Sequence, residues 1–173
     1  MREKFKVCLP IVCALPMLVV MAMIFYYSSQ VGEVSSQTSN QAGEILGGIL
    51  GVEVPPGNAS QTQILLGLDV RKSAHVFLFS LLGLTSFGFF ASVFGVFGKN
   101  CALLTPLKVF ACSVLLSAVY ACLDEWHQSF VDGRAGLVSD VAIDAIGFVG
   151  AAVACVLLWY VIRGICALIR RCQ

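Results

Sequence analysis

Four long apolar stretches separated by shorter polar segments dominate the hydrophobic pattern of this chain. They run near Val7 to Tyr27, Ser73 to Phe97, Leu107 to Leu123 and Val141 to Ile162. Crossing about 30 Å of hydrocarbon takes roughly 20 helical residues, so each stretch is a candidate membrane helix. The third is the shortest, and its helix is expected to continue to Gln128 with Trp126 as an anchor at headgroup level. Pro16 lies in the first stretch, where neighbouring groups can satisfy the carbonyl it frees. The basic start of that stretch fits a signal peptide, but its apolar run is too long for one and no A-x-A site follows, so a retained helix is expected. The pattern predicts an all-α polytopic membrane protein. It is a single domain over 1–173, a bundle of four transmembrane helices (about 7–27, 73–97, 107–128 and 141–162) with an outer loop at about 28–69.

Composition excludes the main alternative. At 58% hydrophobic and 12% charged residues, the chain is too apolar for an ordinary soluble domain. No Walker loop, dinucleotide fingerprint or nucleic-acid patch is present, no cofactor is indicated, and membrane lipids are the expected surroundings.

Charge sets the orientation, because cytoplasmic loops hold the excess of Lys and Arg. Arg2, Lys4, Lys6, Lys99, Lys108, Arg163, Arg170 and Arg171 fall on one side, and only Arg71, Lys72 and Arg134 on the other. The second side also holds every acidic residue except Glu3. Both termini are therefore expected in the cytoplasm and the acidic side outside it. The eight cysteines agree, since only Cys122 approaches the outer surface and it has no partner there. Free, packing thiols are expected, with neither disulfides nor a cysteine-bound metal.

The outer segment from about Ser28 to Asp69 opens Ser/Gln-rich, becomes apolar and Gly-rich, turns at Pro55-Pro56-Gly57 and closes on ILLGL. It reads either as a lid or binding segment, or as a flexible loop lying on headgroups with short amphipathic pieces. The Asn58-Ala59-Ser60 sequon matters only in a eukaryotic secretory pathway.

Ionisable residues near hydrocarbon are expensive and normally face the bundle interior. Here they gather at the outer end: Arg71, Lys72 and His75 open the second membrane helix, Asp124, Glu125, His127 and Gln128 close the third, and Arg134 leads into Asp140 and Asp144 of the fourth. Asp144 lies one turn below Asp140, with Gly147 a turn deeper to admit a neighbouring helix. The amino ends of the second and fourth membrane helices, with unpaired donors and positive dipole ends, point at this region. Arg71 and Lys72 sit on one of those ends and call for an anion, either a ligand phosphate or the protein's own Asp124, Glu125 or Asp140.

An acting site would use His75 or His127 as acid or base, with Asp124, Glu125 and Asp140 in the catalytic set and Arg71, Lys72, Gln128 and Arg134 binding substrate. Asp144, Ser29 and Gln30 are structural polar residues in this reading. Arg134 is expected on a surface loop that tolerates change, Asp144 below the surface where loss of its charge strands a partner. A closed polar network that pins the bundle fits the same residues. D-E-x-H-Q is not the H-E-x-x-H zinc pair, so no metal is assigned, although two histidines and several carboxylates make a divalent ion conceivable.

Three strings carry a resemblance: RKSAH, DEWHQSFVDGRAGLVSDVAIDAIG, and FYYSSQ at the end of the first helix. They resemble the hallmark segments of the VanZ-like family of bacterial membrane proteins, from about Phe25 to Gly150. The second string is the specific one, with D-E-x-H-Q, G-R and D-x-x-x-D-x-x-G in order. Phe79 stands where Tyr is common in the family, and Asp132 where Pro is common. The family's namesake is associated with resistance to the glycopeptide teicoplanin. The resemblance implies a multi-pass protein of the bacterial cell membrane whose partner is a lipid-linked cell-wall component or a lipoglycopeptide. On this basis the expected function is an outward-facing polar pocket that binds, and in one version acts on, an anionic or amphiphilic envelope component. A hydrolase or transferase of lipid-linked or phosphate-bearing substrate is the enzymatic version. A non-catalytic shield and a small-solute or proton pathway are the alternatives.

Overall fold

A computed structural model describes residues 2–52, 54, 61, 68–96 and 101–171, with side chains described between residues 8 and 170. The Pro55-Pro56-Gly57 turn, the Asn58 sequon, most of ILLGL, Lys99 and Cys172 lie outside the described residues. The described chain is helical: α1 Arg2–Ser28, α2 Gly32–Leu50, α3 Val70–Val93, α4 Thr105–Gln128 and α5 Val138–Arg171. Four of these, α1, α3, α4 and α5, are long and apolar enough to cross a membrane. Their exposed side chains are mostly apolar, with Ile11, Leu15, Leu115, Leu157 and Leu168 among them, as on lipid-facing surfaces.

Helix ends differ from the hydropathy reading in instructive ways. The second membrane helix starts at Val70 because Asp69 caps it, accepting a hydrogen bond from the Lys72 amide at 2.9 Å. It ends at Val93, short of Phe97, where Gly95 turns left-handed at φ 66°. The last helix runs 34 residues, about 50 Å, well beyond the hydrocarbon thickness. Near its far end Arg163 packs over Trp159 and donates to the Cys101 carbonyl at 2.9 Å, an arrangement suited to an interface.

The largest correction is α2. The segment expected as a loop holds a 19-residue helix. Its small residues Ser35, Gly43 and Gly47 turn inward, whereas Ile45, Ile49 and Leu50 face out. Hydropathy misses such a helix because its buried stripe is made of small and polar residues, the reverse of a soluble amphipathic helix. Its start is tied to the α4–α5 loop: the Gly32 amide donates to the Asp132 carbonyl at 3.0 Å, and a Cβ at Gly32 would lie 2.5 Å from the Gly133 oxygen.

The bundle core sits between α3 and α5, the most extensive helix pair. A Cβ at Gly147 would collide with the Val76 carbonyl, and one at Gly83 would lie 2.6 Å from the Phe148 carbonyl. The two backbones therefore touch, as small residues allow in membrane helix packing. This contact brings the amino-terminal turns of α3 and α5 close enough for their polar side chains to meet. The described cysteines are all free.

Candidate functional site

Ser28 ends α1 on the buried stripe Met17, Val20, Ile24, Ser28 and is 1% exposed. Its hydroxyl donates to Asp124 Oδ2 at 2.9 Å. The Gln128 amide, one turn on from Asp124 in α4, donates to the same oxygen at 2.8 Å. That leaves Gln128 Oε1 free to accept, and it receives Arg71 at 3.1 Å and Arg134 at 3.3 Å. Arg134 also donates to the Tyr27 carbonyl at 3.0 Å. One buried glutamine thus joins α1, α3, α4 and the α4–α5 loop.

On the other side of α4's inward face, Glu125 Oε2 accepts the Leu137 amide at 2.9 Å and fixes the entry into α5. Asp144 reaches from α5 toward α3, where its Oδ1 lies 3.5 Å from His75 Nδ1. That distance is long for a hydrogen bond, and neither Asp144 oxygen has a hydrogen-bond partner although the residue is 0% exposed. His75, Glu125 and Asp144 each offer a donor atom within 4.8 Å of the other two.

Two cavities flank His75. The larger, about 340 Å³, lies between α1, α2 and α3. Its walls are mostly apolar (Met23, Ile24, Phe77, Leu78 and Phe79), and Ser35, Thr38 and Ser39 of α2 close one side. Its ionisable lining among the described residues is Tyr27, Arg71, His75 and Arg134, with no carboxylate. The smaller, about 100 Å³, is lined by Asp69, Lys72, His75, Asp140 and Asp144 among others. Burial, and secondarily the charge of Arg71, pull Arg134 down to about 10, which leaves it a full cation at neutral pH. Among the described residues neither arginine forms an ion pair with a carboxylate; both rest on a neutral amide oxygen.

With this geometry in hand, the comparison with known proteins adds one match: the family model VanZ/LLP1 covers residues 13–161. The chain belongs to the VanZ-like family. No curated protein and no solved structure matches it. It is accordingly a multi-pass membrane protein, and the strings RKSAH and DEWHQ through DAIG supply most of the polar cluster just described.

The VanZ-like chain brings His75, Asp124, Glu125, Gln128, Arg71, Arg134 and Asp144 together at one end of the bundle. Lys72 and Asp140 border only the smaller cavity. Of the pair Ser29 and Gln30, Gln30 lines the large cavity, but Ser29 is exposed and bonds to the Tyr26 carbonyl. The serine of the site is Ser28, legible as the next member of the α1 buried stripe. His127 stands apart, its ring stacked on Phe25 with centroids 4.7 Å apart, and it lines neither cavity. The reason is angular: His127 lies about 200° round the helix from Glu125, so the two cannot share a face.

Three expectations change with the geometry. The amino end of α3 is capped by Asp69, a carboxylate of the chain itself. Arg134 is half-buried and donates to two partners, so it does not stand free on a surface loop. The large pocket is apolar with a cationic end, and so is not a generally polar one. Chemically, the arginine pair can hold an anionic group, and His75 can hold or move a proton with Asp144 beside it.

Proposed function

We propose that this VanZ-like protein binds an anionic amphiphile of the cell envelope in the cavity between α1, α2 and α3. The observation that carries this reading is the lining: Arg71, His75 and Arg134 at one end with no carboxylate, and Met23, Ile24, Phe77, Leu78 and Phe79 along the walls. A phosphate or carboxylate headgroup would sit between two guanidiniums that now share one amide oxygen, and an acyl or prenyl tail would lie on the apolar walls. Helix α2, with apolar residues outward and small ones inward, would form the lipid-side wall. The split of cations along the chain supports an extracytoplasmic location for this end. The family's association with teicoplanin resistance fits a protein that occupies or shields such a component.

Acid–base chemistry on the bound headgroup is a second reading, favoured by His75 bordering both cavities beside Asp144. Membrane-derived lipids from gently extracted protein, identified by mass spectrometry, test the first reading, alongside binding of anionic against zwitterionic lipids. Arg134→Lys should weaken anionic lipid binding about 10-fold per folded molecule, since Lys lacks the bidentate fork. Equal binding of both lipid classes, or unchanged binding in that variant, would sink the reading. Release of a cleaved headgroup, abolished in His75→Gln, would establish the second.

A further inference from the structure

Asp144 is the least explained group in the molecule. It is fully buried among membrane helices, and neither of its oxygens accepts a hydrogen bond. A buried carboxylate left so is unfavourable unless a cation compensates it. The contact to His75 Nδ1 at 3.5 Å is long for a hydrogen bond.

We propose that His75, Glu125 and Asp144 form a binding site for one divalent transition-metal cation of the zinc or manganese type. The donor set is one imidazole nitrogen and two carboxylates, a mixture that suits these ions better than calcium or magnesium. The donor atoms lie within 4.8 Å of one another, a spread that small rotations close to metal bonds of about 2.0 to 2.2 Å. They come from three helices, α3, α4 and α5, of which α3 and α5 are held in register by the contacts at Gly83 and Gly147. Glu125 is already oriented by the Leu137 amide on Oε2, as metal-binding carboxylates are commonly held by a hydrogen bond.

Charge points the same way. Asp69, Asp124, Glu125, Asp140 and Asp144 surround this end of the bundle, against Arg71, Lys72 and Arg134. Three protein ligands leave a coordination position open, the pattern of sites that act on a further ligand, and the cavity of about 100 Å³ beside Asp144 gives it room for water.

This site stands on residues other than the arginine pair, so the metal and lipid readings fail separately. The test uses the untagged full chain in detergent, stripped with a chelator and titrated with Zn²⁺ or Mn²⁺ alone by calorimetry, with bound metal counted by elemental analysis. One equivalent per chain is expected, with affinity reduced at least 10-fold in Glu125→Gln and in Asp144→Asn. The exposed Asp132→Asn serves as a control with unchanged binding. Should Asp144→Asn fail to fold, Glu125→Gln and a metal-induced rise in wild-type melting temperature carry the test. No stoichiometric binding at micromolar Zn²⁺ or Mn²⁺ overturns the proposal, as does equal binding in wild type and Glu125→Gln. Anionic lipid binding that persists in protein showing no stoichiometric metal binding on titration overturns the metal site and leaves the lipid reading standing.

Discussion

Arg71 and Arg134 donate to the same oxygen, Oε1 of Gln128, at 3.1 and 3.3 Å. Two cations from different elements therefore lean on one neutral side chain that is 1% exposed. The same amide serves Asp124 through its nitrogen. Gln128→Leu keeps the bulk but leaves two arginines and one carboxylate short of a partner. It should destabilise the protein by about 2 to 4 kcal/mol, because buried charged groups are left unsatisfied. Thermal melting of the purified variant checks this, and an unshifted midpoint would mean that Gln128 does not organise the site.

The glycines of α5 should divide sharply. Gly147→Ala places a methyl group against the Val76 carbonyl and forces α3 and α5 apart, a change of about 1 to 3 kcal/mol against stability. Gly150→Ala meets nothing within 4 Å and should be neutral or stabilising by up to about 1 kcal/mol through helix propensity. Paired melting curves decide it; similar losses in both variants would contradict the close α3–α5 contact.

The two histidines should separate as cleanly. His127→Phe preserves the stack on Phe25 and removes a buried Nδ1 that has no partner, so abundance and lipid binding should be unchanged. His75→Phe removes a group that borders both cavities, and anionic lipid binding should fall several-fold while the protein still folds. Loss of binding in His127→Phe alone would move the site to the α1–α4 face.

Topology has its own check. Eight of the eleven Lys and Arg lie at the amino end, between the second and third membrane helices, or in the tail. Reporter fusions at Gln173 and near Asn58 should therefore report opposite sides of the membrane. The same compartment for both would sink this topology and with it the external site.

The sequence by itself determined the four membrane helices, because a run of apolar residues long enough to span hydrocarbon needs no tertiary information to be recognised. It also determined which polar residues gather at one end, since consecutive spans must return their ends to the same surface. The family was equally legible, in the short strings RKSAH and DEWHQ through DAIG. What only the tertiary structure decided is which of these side chains meet. The inward faces of α3 and α5 are set by contacts such as Gly147 on Val76. Those contacts seat His75 beside Asp144, the packing of α4 brings Glu125 to the pair, and His127 stacks on Phe25. Helix α2 also needed the structure, because its inward residues are small and polar and gain their meaning only from the cavity they close. Donor atoms from three separate helices come within 4.8 Å of one another only through packing, which linear spacing cannot express.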